Sequence, residues 1–165
     1  MIRRLAETDD PSDFSCGHHE LDRYLEKHAV PNAATGVSIT YVHVDATDRI
    51  DGYVTLAGTS IRSCKALAAS VALPSYPLPA LLVARLAVRQ DSRSRGIGRA
   101  LLLFALEEAI VLHGRTGCVA VVVDAKPEAV DFYAHFGFEP VNPASPVDSP
   151  IRMLLEMGSV LDALG

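Results

Sequence analysis

At 165 residues the chain is long enough for one domain with a real core, and 49% hydrophobic with 21% charged residues is a globular composition. Arg85 interrupts the longest apolar run, Leu78 to Val88, before it reaches transmembrane length, and the opening MIRRLAETDD has no apolar segment of the kind a secretory leader needs. Three well-separated cysteines (Cys16, Cys64, Cys118) point to free thiols in a reducing, cytoplasmic setting, and a net charge of −5 argues against a surface coated with nucleic acid.

SCGHHELDRYLEKHAV predicts a helix from His18, with Leu21, Leu25 and Ala29 at four-residue spacing and Tyr24 beside them. VSITYVHVD and IDGYVTLAGTSI read as two strands of a hairpin, and the prolines of SCKALAASVALPSYPLP predict a surface loop. ALLVARLAV is a nearly continuous apolar strand, as in the middle of a sheet. An amphipathic helix is expected over Gly98–His113, stopped by Gly114. CVAVVVDA is a second buried strand, and PEAVDFYAHFGF a short helix between Pro127 and Gly137. PIRMLLEM closes the sheet. The order predicts one mixed α/β domain over residues 1–165, with a right-handed crossover between two central strands.

The join between the apolar strand and the long helix carries the chemistry. Arg85, Arg89, Arg93, Arg95 and Arg99 stand there against the single acid Asp91, while the remainder of the chain has ten basic and nineteen acidic side chains. A basic island on an acidic protein suits a localised anion. Two nucleotide-binding patterns fail on specific residues: the Walker loop needs Lys-Ser/Thr where Arg99-Ala100 stand, and the dinucleotide fingerprint needs a glycine where Leu101 stands. What survives is their shared physics. Gly96 and Gly98 allow a tight backbone turn, the helix start offers N–H groups and its dipole, and Arg93, Arg95 and Arg99 add charge-assisted bonds. The loop suits a pyrophosphate.

RLAV, RSRGIGRALL, VVVDA and DFYAHFGF together resemble the GCN5-related N-acetyltransferases, whose Arg/Gln-x-x-Gly-x-Gly/Ala motif corresponds to Arg93-Ser94-Arg95-Gly96-Ile97-Gly98. The likeness follows the element order over residues 36–157, with its motifs in 85–138. Lys126, where many members carry asparagine, and Ser94, often glycine, depart from the pattern. The resemblance implies a mixed, mostly antiparallel sheet with two splayed parallel strands, flanked by helices. It implies acetyl-coenzyme A as donor, bound by the backbone of Leu86, Ala87 and Val88 along the pantetheine arm and by Arg93 to Arg99 at the pyrophosphate. It also implies Tyr133 as general acid toward the departing thiolate, a role open to a phenol, whose ordinary pKa is ~10. No metal is expected, because Cys16, His18 and His19 lack a second ligand pair.

FSCGHHELDRYLEKHA, GVSITYVHVD, IDGYVTLAG, SYPLPALLVARLAV and VVVDAKPEAVDFYAHFGF extend the resemblance to the acetyltransferase toxins of bacterial toxin–antitoxin modules, where Lys126 is no anomaly. That resemblance implies acetylation of the α-amine of aminoacyl-tRNA, a ribbon-helix-helix antitoxin, and homodimers. No general base stands out among Asp124, Glu139 and Glu156. An α-amine with a pKa near ~8 needs one less than a lysine does. A tRNA surface should be basic, and Arg3, Arg4, Arg23, Lys27 and Lys65 are candidates to extend the arginine island. A small-molecule or protein amine as acceptor, or a non-enzymatic acyl-coenzyme A-binding module, remain the alternatives. Cys118 reads as core, and Arg85, if buried, needs a partner that the sequence does not name.

Overall fold

The structure is a computed structural model that describes residues 1–64, 67, 72–142 and 149–165, so Lys65 lies outside the described residues. Seven strands form one sheet in the order β1-β2-β3-β4-β5-β7-β6. They are β1 (Ile2–Arg4), β2 (Ile39–Val44), β3 (Ile50–Ile61), β4 (Leu78–Val88), β5 (Ala120–Ala125), β6 (Glu139–Pro140) and β7 (Ile151–Glu156). The helices are α1 (His19–Lys27), α2 (Ala29–Ala34), α3 (Ile97–Arg115), α4 (Val130–His135) and α5 (Met157–Leu164). β1–β2, β2–β3, β5–β7 and β6–β7 pair antiparallel and β4–β5 parallel. This is the mixed, mostly antiparallel sheet that was expected.

The contacts divide the chain into two compact units. The first comprises Met1–Ala57 and Ala84–Ala105. In it β2 alternates as its sequence demands, burying Thr40, Val42 and Val44. Thr40 survives burial because its hydroxyl pairs with that of Thr55 across the ladder at 2.8 Å. Phe14, Tyr24, Leu25, Val42, Tyr53 and Ala87 belong to one core cluster. The expected helix over His18–Ala29 is broken at His28 (φ −120°, ψ −24°) and restarts as α2. Pro31 is the reason: in a continuous helix its ring would strike the carbonyl of Lys27, whereas a restart puts it in a first turn that needs no N–H there.

The second unit comprises Gly58–Val83 and Leu106–Gly165. β5 is buried along Ala120–Val123 because β4 pairs on one side and β7 on the other. The β4–β5 register runs from Leu81–Val121 to Val83–Val123, and both strands continue past it. On β7, Leu154 clusters with Val122, Ala120 and Ala80, while Leu155 lies on the opposite pleat face, 3.4 Å from where a Cβ on Gly137 would stand. Gly137 follows α4 at φ +96°. The Pro127–Gly137 segment is a single 3-10 turn (Pro127–Ala129) leading into α4.

Several expectations shift. α3 begins at Ile97 and runs to Arg115, so Gly114 sits in its last turn. The residue that ends it is Gly117 at φ +99°, whose N–H reaches the Leu112 carbonyl. α3 buries Ile97, Leu101, Leu102, Ala105, Leu106 and Ala109, but the rest of its surface includes half-buried Leu103, Phe104 and Ile110, so it is less amphipathic than expected. β1, β6 and α5 have no counterpart in the sequence reading, which ended on β7.

Candidate active site

In the first unit β4 runs into a short 3-10 turn, Gln90–Ser92, and then into the turn Arg93–Gly96 that opens α3. Asp51, which is buried, clamps the start of this connection. Its carbonyl accepts the Arg89 N–H at 2.7 Å and its carboxylate accepts the Ser92 hydroxyl at 3.1 Å. The Gln90 N–H donates to the Ser15 carbonyl at 2.9 Å, and an Arg93 Nη2 donates to the Cys16 carbonyl. Within the turn Ser94 (φ +66°) and Gly96 (φ +77°) both take left-handed backbone, so glycine supplies one of two such residues and serine the other.

Gly52 on β3 lets α3 sit close. A Cβ there would stand 3.0 Å from the Ala87 carbonyl oxygen and 3.0 Å from side-chain atoms of both Ile97 and Leu101. The missing side chain holds the first turn of α3 against β3 and β4. The leading N–H groups of that turn have no acceptors within the helix.

A cavity of about 170 Å³ is lined by Leu86, Ala87, Val88 and Arg93, and from α1 and its approach by Cys16, His18 and Leu21. Four of the residues singled out from sequence therefore share one cavity. Ser94, Arg95, Gly96 and Arg99 are exposed beside it in the chain, Gly98 is half-buried, and Ile97 points into the core. Cys16, His18 and Leu21 were missed as cavity residues. The CGHH stretch drew attention only as a metal ligand set, and no spacing in the sequence places it beside residues 86–93. Burial pushes the Cys16 thiol up to about 11, which leaves it inert.

The arginine island is smaller in space than in sequence. Arg89 is 3% exposed and committed to the fold: Nε donates to the Ile50 carbonyl at 2.8 Å, and the two Nη groups donate to the carbonyl and carboxylate of Asp13. Arg85 stands over the Tyr24 ring, the partner that the sequence did not name. Of the residues proposed to extend the island, Arg3 is held by Asp9 in two bonds of 2.8 Å and Lys27 lies 3.3 Å from Glu26. Arg4 and Arg23 are exposed.

In the second unit Tyr133 is buried on α4, with edge-on contacts to Phe132 and Phe138. Burial pushes its phenol up to about 12. Arg152 holds Asp124 by two bonds of 2.8 and 2.9 Å, and that pairing keeps its carboxyl below the usual range. Among the described residues no group of three His, Cys, Asp or Glu side chains is placed to hold a metal, and no helix is long and apolar enough to cross a membrane.

The Leu86–Val88 stretch of β4 and Arg93, at the head of the turn into α3, thus line one cavity. Residues 38–140 match the acetyltransferase (GNAT) domain family. A tRNA-acetylating toxin of Mycobacterium tuberculosis is 34% identical over 99% of this chain and 95% of its own. The solved structure of AtaT complexed with acetyl-methionyl-tRNAfMet has the same fold, with a TM-score of 0.85 at 21% identity over 100% of this chain and 99% of that one. An AtaT mutant toxin bound to the C-terminus of the antitoxin AtaR and acetyl-CoA superposes at a TM-score of 0.81, 22% identity, over 100% and 98%. With a family match over most of its length and a relative at this identity, the chain belongs to the GNAT acetyltransferases.

Proposed function

We propose that this chain, acting as a single catalytic domain, acetylates the α-amine of aminoacyl-tRNA and so blocks translation, with acetyl-coenzyme A as donor. The observation that carries the donor site is the cavity that joins the Leu86–Val88 strand to Arg93 at the mouth of the glycine turn. The acceptor rests on the relatedness to the tRNA-acetylating toxin.

When bound, acetyl-coenzyme A supplies an activated acyl thioester. The backbone groups of Leu86, Ala87 and Val88 hold the amide-bearing arm as a neighbouring strand would, and the Val88 N–H polarises the acyl carbonyl. Arg93, Ser94, Arg95, Gly96, Ile97, Gly98 and Arg99 hold the pyrophosphate through N–H groups, the helix dipole and guanidinium charge. Arg93 keeps free donors for this, since a guanidinium carries five and one serves Cys16. Tyr133 donates toward the departing sulfur. Its burial keeps the phenol protonated throughout the working pH range.

The same reading makes the chain a cytoplasmic, homodimeric toxin with a ribbon-helix-helix antitoxin as partner. The acidic total of −5 favours a second reading, in which the acceptor is a protein or small-molecule amine. Incubation with labelled acetyl-coenzyme A and total charged tRNA separates the two. Label is expected in the charged tRNA pool, and Tyr133→Phe is expected to cut turnover while sparing donor binding. Label that stays with the donor removes the tRNA assignment.

A further inference from the structure

Resting on the donor reading above, we propose that His43 and Asp51 form a positioning pair beneath the diphosphate turn, and that binding of acetyl-coenzyme A puts a proton on His43. The pair is made by a bulge. His43 on β2 stands opposite Gly52 and Val44 opposite Ile50, which leaves Asp51 as an extra residue on β3. The Asp51 carboxylate lies 3.7 Å from His43 Nδ1, too far for a hydrogen bond. That nitrogen is buried and has no partner, while the rest of the ring, at 23% exposure, is open enough to exchange a proton with water.

Asp51 ties the pair to the site. One of its carboxylate oxygens accepts the Ser92 hydroxyl, and Ser92 immediately precedes Arg93. All of these residues lie in the first unit. Among the described residues His43 is the sole basic side chain within 4 Å of that carboxylate. With the ring neutral, a buried negative charge stands uncompensated under a turn that receives an anion, and the two repel. An imidazolium cancels that charge and gives Nδ1 a proton to donate to Asp51. A bound diphosphate therefore favours the protonated ring, and the protonated ring favours the diphosphate.

The surroundings of the ring set the direction. Burial lowers His43 from its ordinary 6.5, the Met1 ammonium, bonded to the Val44 carbonyl at 3.2 Å, lowers it further, and Asp51 opposes both. Register places Tyr41 and Arg4 on the same face of the sheet. From α3, uncharged Ile97 and Leu101 pack against Gly52, the cross-strand neighbour of His43. Without donor the ring is thus neutral at about pH 7, and the donor raises its pKa. The gain in donor affinity is full below the His43 pKa of the free protein and is lost as pH rises through the higher pKa of the complex.

Calorimetric titration of the full chain with acetyl-coenzyme A at about pH 5 and about pH 8, the window in which a histidine changes charge, is run beside His43→Gln. The ratio of the two affinities cancels the ligand's own phosphate titration. On going to the lower pH the unaltered protein is expected to gain about fivefold over His43→Gln, the modest end of coupling between two sites. Asp51→Asn keeps an oxygen for Ser92 and removes the charge that holds the proton, so it is expected to lose the gain as well. A second readout needs no variant: the His43 ring resonances, assigned through the backbone, should titrate with a midpoint that rises on donor saturation by the same factor. A level ratio, or a midpoint that stays or falls, overturns the pair and leaves the donor site standing. No binding at either pH overturns the donor reading, and this assignment with it.

Discussion

The Arg85 guanidinium lies over the ring of Tyr24, 3.6 Å from its centroid, so a charged side chain in an apolar strand finds its partner on α1. The Tyr24 hydroxyl is fixed in turn by Ser38 at 2.9 Å and Asn32 at 3.2 Å. Arg85→Met keeps the bulk and removes the cation. It is expected to cost about 1–2 kcal/mol, the scale of a partly desolvated cation–π contact. Urea unfolding checks this: the midpoint falls and the slope stays. An unmoved midpoint would leave the contact without energetic weight.

Two arginines of the same island should behave oppositely. Arg89→Met breaks a buried, hydrogen-bonded ion pair and is expected to destabilise by about 3 kcal/mol, toward the low end because Asp13 is itself largely in water. Arg95→Gln, at an exposed position, should leave the melting temperature alone and weaken acetyl-coenzyme A binding, with a shallower salt dependence of the affinity. Calorimetry of the two variants side by side separates fold from site.

Glycines 52 and 96 fail for different reasons when replaced. Gly52→Ala puts a methyl against the Ala87 carbonyl and α3, and overpacking of that kind costs about 1–3 kcal/mol. Gly96→Ala meets no neighbour at all, yet its φ of +77° makes it cost about 1–2 kcal/mol. Ser94→Gly should run the other way and gain up to about 1 kcal/mol, because serine now holds φ +66°. Thermal denaturation of the three variants checks both signs.

The pH dependence of stability has two limbs. Burial raises the Tyr133 phenol to about 12, so its contribution is complete below the ordinary phenol value of ~10 and is lost as pH rises through 12. Asp9 is lowered, chiefly by its bond to Arg3, so its contribution is present above the ordinary carboxylate value of ~3.9 and is lost as pH falls through the depressed one. Tyr133→Phe should flatten part of the alkaline limb and Arg3→Met part of the acid limb, read as melting temperature against pH; Asp124, lowered by Arg152, keeps the remainder of the acid limb. Burial raises Tyr53 as well, so part of the alkaline limb remains in Tyr133→Phe.

Periodicity carried the long elements well. β2 alternates, β5 is apolar from Ala120 to Val123, and Pro127 and Gly137 bracket α4 as their backbone chemistry requires. β1 and β6 have three and two residues, too few for a period to appear. The Arg93–Gly98 turn was legible because its chemistry is local. The other wall of the cavity was not, since Cys16 and His18 reach Leu86 only through packing of α1. Nor does sequence separate Arg89 from Arg95: both read as charge, and only the tertiary contacts to Asp13 and Ile50 bury one of them.

The three cysteines differ in a way that an experimenter can use. Cys16 and Cys118 are buried with thiols raised by burial, whereas Cys64 is half-buried on the wall of a cavity of about 290 Å³ that Ile61, Arg62 and Arg152 also line. A maleimide dye should therefore label the unaltered protein at one position. Its fluorescence would then follow whatever enters that cavity, in real time and with no residue replaced.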